Sequence, residues 1–153
     1  MRSSPKRVDN QGFASGLELR NQNVLASSGL EFWYESGPCE ISYSLVVRVG
    51  ECNDCGSKDI VTNHRYTADF AFRSESGKLI LVECKGSPWA WTGKTRSKHQ
   101  AIKKQYPEMD LRFIFSDKNS KISKTSKTSN AEWCKRQKFL CESRLIPQRW
   151  LKE

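Results

Sequence analysis

Apolar positions in the middle of the chain fall into two runs around a polar turn. Phe70-Ala71-Phe72 is followed by Glu75-Ser76-Gly77-Lys78, and then by Leu79-Ile80-Leu81-Val82. This pattern predicts a β-hairpin, its first strand His64–Phe72 and its second Leu79–Lys85, ended by Gly86-Ser87-Pro88. Upstream, Leu17, Val24 and Leu25 recur at i, i+7 and i+8, which predicts a helix from Ser15 to about Ser28. Ser15 and Glu18 have the spacing of a capping box, and Gly29 suits the position after the last turn. Leu30–Glu35 is aromatic-rich and reads as a strand, broken by Gly37-Pro38. Ile41–Val49 alternates, with Ile41, Tyr43, Leu45, Val47 and Val49 on one side, and predicts a long strand.

Beyond the hairpin, Thr95–Tyr106 reads as a helix stopped by Pro107, and Leu111–Phe115 as the short buried strand that follows a crossover helix. Ser129 and Glu132 offer a second capping box, from which a helix is expected to about Ser143, packed through Trp133, Phe139 and Leu140. Leu145-Ile146-Pro147 and Trp150-Leu151 are expected to pack the end of the chain. The order of elements predicts an α/β fold, a mixed central β-sheet flanked by helices. Residues 1–12 read as a disordered basic arm and residues 13–153 as a single domain. Within it, 36–65 holds the long strand and a Cys-x-x-Cys segment.

Composition adds a partner. The 153 residues carry a formal charge of +9, with a pI near 9.4, an excess that marks a polyanion, and nucleic acid above an anionic membrane. No run of about 18 apolar residues is present and the basic N-terminus has no apolar segment after it, so neither a membrane span nor an export signal is expected. The chain is therefore read as cytoplasmic, and its six cysteines as thiols or metal ligands rather than disulfides. Cys52 and Cys55 form a Cys-x-x-Cys-Gly knuckle, half of a zinc site. Cys39 and His64 are candidates to complete it, as is the same pair from a second chain; two free thiols in a turn is the alternative. Lys94, Arg96, Lys98, Lys103 and Lys104 on the second helix, and Lys121, Lys124 and Lys127 in a mobile Lys/Ser/Thr loop, are the candidate DNA contacts. Gly93-Lys94-Thr95 resembles the end of a phosphate-binding loop, but Pro88 stands where that loop needs glycine.

The chemistry lies on the hairpin. Side chains alternate along a strand, so Glu83 and Lys85 share a face, and Asp69 sits near the start of the preceding strand. Two carboxylates and a lysine at one end of a hairpin are the minimal set for metal-assisted phosphodiester hydrolysis; an ordinary Glu83–Lys85 ion pair is the alternative. The order helix, strands, hairpin with acids and lysine, helix, strand resembles the core of the PD-(D/E)xK nuclease superfamily, with Glu83-Cys84-Lys85 as its second half.

A closer resemblance, to the bacteriophage endonuclease I family of Holliday-junction-resolving enzymes, is carried by several runs. They are Ser15-Gly16-Leu17-Glu18, Tyr66-Thr67-Ala68-Asp69-Phe70, Val82-Glu83-Cys84-Lys85-Gly86, Gln105–Arg112 and Leu145–Glu153. It implies a restriction-endonuclease-like core, and magnesium, with manganese as a substitute, held by Asp69, Glu83 and the backbone carbonyl of Cys84. It further implies Lys85 orienting or deprotonating the attacking water, and Glu18 as a fourth catalytic residue. An intertwined, domain-swapped homodimer is also implied, with Glu18 acting across chains and Ile41–Val49 as the bridge. The substrates would be four-way junctions and branched DNA, met in a bacterial host cell. Two departures stand out: Ala68 where the superfamily has proline, and the Cys52–Cys55 segment, an insertion in the bridge. A sequence-specific restriction-type nuclease and a non-catalytic, zinc-stabilised DNA-binding module are the competing readings.

Overall fold

The structure, a computed structural model, describes residues 15–48, 50–51, 53–56 and 58–153. The expected arm at 1–12, the end of the long strand at Val49, and Cys52 lie outside the described residues. Helix α1 spans Gly16–Ser28, as its apolar spacing predicts. Ser15 accepts a hydrogen bond from the Glu18 N–H at 3.2 Å, and Gly29 closes the helix at φ 73°, a conformation that favours glycine. There follow β1 (Phe32–Tyr34), β2 (Glu40–Arg48), β3 (Asp59–Thr67), β4 (Phe70–Arg73), β5 (Leu79–Lys85), α2 (Gly93–Gln105), β6 (Leu111–Phe115), α3 (Asn130–Arg136), β7 (Leu140–Ser143) and α4 (Gln148–Leu151).

Five strands form one mixed sheet in the order β1-β4-β5-β6-β7. β1, β4 and β5 run antiparallel, whereas β5, β6 and β7 run parallel. The sheet is covered on both faces. Phe70, Phe72, Ile80, Val82 and Ile114 pack with Leu17 and Leu25 of α1 and with Ile146, Trp150 and Leu151 near the C-terminus. Ala71, Leu81, Phe113 and Phe115 pack on the other face with Trp91, Ile102 of α2, and Trp133 and Phe139 around α3. Burial on both faces is why β6 is apolar at almost every position and why β5 carries no simple alternation. Each such large side chain contributes roughly 1.5–3 kcal/mol relative to exposure.

Three expected elements differ. First, no strand runs unbroken from His64 to Phe72. β3 begins at Asp59 and pairs with β2 in a separate two-stranded ribbon, register Glu40↔Thr67 to Arg48↔Asp59. The chain then bends at Ala68-Asp69 and enters the main sheet as β4. Second, the long strand begins at Glu40 rather than Ile41 and pairs along its length with β3 of the same chain. Third, α3 is short. Lys138 takes φ 60°, the Phe139 N–H returns to the Cys134 carbonyl at 2.9 Å, and the segment expected to continue as helix becomes β7, paired parallel with β6. Short apolar runs satisfy helix and strand periods equally, and here the open edge of β6 decides. The Lys/Ser/Thr loop, expected to be mobile, is stitched internally: Ile122 N–H to Thr128 O at 3.0 Å, Asn130 N–H to Ser120 O at 2.9 Å and Ala131 N–H to Lys118 O at 2.8 Å.

Candidate active site

Asp69 occupies the bend between the ribbon and the sheet, and Glu83 and Lys85 alternate onto the same face at the end of β5. The first turn of α1 brings Glu18 to the same place. All four line one cleft of about 1000 Å³. Carboxylate oxygens of Glu18, Glu35 and Asp69 lie within 4.8 Å of one another. Each acid is held by neighbours. The Cys84 N–H donates to Asp69 Oδ2 at 2.6 Å. Tyr34 donates to Glu18 Oε2 at 2.9 Å and Ser15 to Glu18 Oε1 at 3.0 Å. Tyr66 donates to Glu83 Oε2 at 2.5 Å, and Lys85 donates to Glu83 Oε1. Glu18 therefore does not choose between cap and site. Its backbone N–H completes the cap while its carboxylate faces the cleft.

The electrostatics divide the two central acids. Burial, reinforced by the charges of Glu83 and Glu18, pushes Asp69 well above the usual carboxylate range. Burial is the strongest single influence on Glu83 and acts upward, but the Lys85 charge and the hydrogen bonds from Lys85 and Tyr66 join other lowering influences to outweigh it, so Glu83 sits below its ordinary value. Burial acts downward on Lys85, and Glu83 again prevails, raising it. Lys85 is thus an ammonium in this arrangement: it donates hydrogen bonds and does not accept a proton. In extended backbone the N–H and C=O of one residue point to the same edge. The Cys84 N–H meets Asp69, so the Cys84 carbonyl is directed to that edge as well, while the Lys85 carbonyl is taken by Ser116 N–H on the β6 side.

Of the basic candidates, Lys98 enters the cleft, its Nζ 4.8 Å from the Tyr66 ring centre, and burial lowers its pKa. Lys94, Lys104, Lys121, Lys124 and Lys127 are exposed. Two others hold the fold. Arg96 donates to Trp91 O at 2.7 Å and Ile122 O at 3.2 Å, fastening the Lys-rich loop to α2. Lys103 donates to the carbonyls of Pro107 and Met109 beyond the end of α2. Cys39 and His64, the candidates to complete a zinc site, have other surroundings. Nine paired positions separate Cys39 from the loop that carries Cys55, a span of about 30 Å at 3.3 Å per residue. Cys39 is buried, its thiol pointing at Trp33 O, and His64 stacks on Tyr43 and bonds Thr62.

Sequence reasoning missed Tyr34, Glu35 and Tyr66. Tyr66 sits in a run quoted for its resemblance, so its neighbourhood was visible but its phenol was not. Glu35, at φ 44° after β1, carries no local signal; only the β1–β4 pairing, extended by the Glu35 N–H to Asp69 O bond at 3.0 Å, brings it to the site.

The result is an α/β protein with a carboxylate-and-lysine centre set in a strongly basic chain. Residues 55–153 match the family model described as phage endonuclease I. The chain is 34% identical over 141 residues to Endonuclease I of Escherichia phage T7, covering 92% of this chain and 79% of that protein. It is likewise 34% identical over 143 residues to Endodeoxyribonuclease 1 of Enterobacteria phage T3, covering 94% and 79%. The chain belongs to the phage endonuclease I family, and by class it is a deoxyribonuclease.

Proposed function

We propose that the chain is a magnesium-dependent, structure-selective endonuclease that resolves four-way (Holliday) junctions and other branched DNA by phosphodiester hydrolysis. The observation that carries this reading is the convergence of Glu18, Glu35, Asp69 and Glu83 with Lys85 in one cleft. The donors fit a hard divalent ion. All are oxygens, and the crowding that raises Asp69 is what a bound cation relieves. Asp69, Glu83 and the Cys84 carbonyl would hold magnesium, or manganese in its place, with Glu18 and Glu35 completing the acidic rim. Bound there, such an ion supplies Lewis-acid stabilisation of the phosphate and a more acidic attacking water. Lys85, as an ammonium, orients that water and stabilises the charge that develops on the phosphate oxygens. Tyr66 and Lys85 together fix the Glu83 carboxylate from both sides.

Phosphate contacts from Lys94, Lys98, Lys104, Lys121, Lys124 and Lys127 supply affinity without sequence preference. Selectivity for branched DNA then comes from shape, two basic surfaces set at a fixed angle to diverging arms. This needs two sites. We assign them to a homodimer in which two chains exchange the segment before the ribbon's tip, so that β2 of one pairs with β3 of the other and Glu18 is supplied in trans. The contacts of the single chain are preserved under that exchange, which is what makes it inexpensive. For a phage-encoded chain the setting is the cytoplasm of a bacterial host; among the described residues no helix is long and apolar enough to cross a membrane.

Cleavage of a synthetic four-way junction, against linear duplex of the same sequence, in magnesium, calcium or EDTA tests the reading. Magnesium-dependent cutting is expected, many times faster on the junction than on the duplex. Asp69→Ala, Glu83→Ala and Lys85→Ala should each slow cutting about 100-fold or more while junction binding persists. Full activity in all three variants, or equal cutting of duplex, would sink it.

A further inference from the structure

Trp89 is 83% exposed, more than any other large apolar side chain among the described residues. An indole costs free energy in water unless something covers it, and a single exposed apolar residue usually needs no explanation. Position and rigidity make this one different. It lies on the short turn Pro88–Ala90, directly after the strand that bears Glu83 and Lys85. Ser87, which precedes that turn, and Ala90, its last residue, line the active-site cleft.

The turn is fixed at both ends. Ser87 Oγ accepts the Trp89 N–H at 3.2 Å, and Pro88 O accepts the Trp91 N–H at 3.2 Å. Trp91 is buried, with its ring centre 4.9 Å from that of Trp133. Pro88 further restricts the backbone. The indole is therefore presented to solvent on a rigid mount beside the reacting groups. Lys124 of the Lys/Ser/Thr loop brings Nζ to 6.0 Å from the ring centre, and that loop is itself fastened to α2 by Arg96.

We infer that Trp89 is a base-stacking platform that reads the branch point: its indole covers the open face of a nucleobase that has lost a stacking neighbour, while Lys124 takes an adjoining phosphate. This rests on the proposed cleavage of branched DNA and deepens it. Phosphate contacts on one arm are the same as on any duplex; two basic surfaces at an angle select diverging arms but do not mark the branch point itself. In continuous duplex both faces of every base are covered, and uncovering one costs a few kcal/mol. Where strands diverge, a face is already free, and an aromatic ring can take it whatever the base. A fixed indole beside the cleft thus converts loss of stacking into binding near the scissile phosphate.

The test compares cutting rates on a four-way junction and on linear duplex for the wild type, Trp89→Ala and Trp89→Phe. Trp89→Ala should lower the junction rate about 10- to 100-fold, with a much smaller loss on duplex and an unchanged melting temperature. Trp89→Phe should restore most of the junction rate, since a phenyl ring also stacks. A Trp89→Ala variant that keeps the wild-type junction preference overturns this inference and leaves the proposed function standing. Equal loss on both substrates also overturns it, because the side chain would then serve general binding. A wild type that shows no preference for the junction overturns both.

Discussion

Tyr66 holds Glu83 as directly as Lys85 does. Its hydroxyl reaches Glu83 at 2.5 Å from a buried position, and burial together with the Glu83 charge pushes the phenol well above its ordinary pKa, so it stays a donor. A hydrogen bond to a charged group contributes about 1.5–3 kcal/mol. Tyr66→Phe is therefore expected to slow junction cutting about tenfold or more without loss of folding, read in single-turnover assays beside a thermal melt. His99 makes a different statement. Its Nδ1 bonds Thr95 O, its Nε2 is buried without a partner among the described residues, and burial lowers its pKa to about 4. The ring is held neutral. Above pH 6.5 neither folded nor unfolded chain binds the proton; between 6.5 and about 4 only the unfolded chain does, so stability falls as pH falls through that window, by at most about 3 kcal/mol. Urea unfolding at pH 7 and pH 4.5 should show the loss. With only two histidines in the chain, proton NMR should find His99 untitrated above pH 5.

At the scale of elements, α1 is more than a carrier of Glu18. Asn21, fully buried, donates to Leu17 O at 2.9 Å and Arg144 O at 3.0 Å and accepts the Ile146 N–H at 2.7 Å. The helix is thereby bolted to the irregular segment that follows β7, at Leu145-Ile146-Pro147. Asn21→Ala strands a buried N–H and a carbonyl and should cost about 3 kcal/mol, measured by urea unfolding. Activity should suffer with it, since Glu18 loses its fixed base. α1 was readable from the sequence because its signals are local: a cap, a period and a terminal glycine. β5, with Glu83 and Lys85 on one face, was readable for the same reason. β7 was not, because Phe139–Cys141 fits either period and only the edge of β6 decides between them. The split of His64–Phe72 was hidden too, since nothing local marks Ala68-Asp69 as a bend between two sheets. That bend aims Asp69, so the sequence placed the residue in the site without revealing how it is pointed.

At the scale of the molecule, a single chain assembles every element of the site, with Glu18 reaching Asp69 in cis. Yet the outer half of the β2–β3 ribbon leaves Val46 and Val61 exposed on one face and Val47 and Ile60 on the other, apolar surface that favours a second copy. Sedimentation across a range of concentrations is expected to give a dimer. An equimolar mixture of Glu18→Ala and Lys85→Ala chains should recover cutting if sites are shared between subunits, one site of the mixed dimer then being intact; a monomer that cuts junctions at full rate would end the exchange proposal. The charge of +9 makes binding steeply dependent on salt, so such comparisons belong at one ionic strength.

The ribbon has one more consequence. It leaves the main body after Glu35 and returns just before Asp69, and both ends are tied there by the Glu35 N–H to Asp69 O bond and the Ala68 N–H to Cys39 O bond, each 3.0 Å. Length added between Arg48 and Asp59 therefore changes only how far the ribbon projects, not the spacing of the carboxylates at its root. The tip can therefore take added length without disturbing the carboxylates, and it is where the sequence carries its Cys-x-x-Cys segment. For the engineer it is a mounting point: a foreign module fused at the tip would ride the nuclease at arm's length from its chemistry.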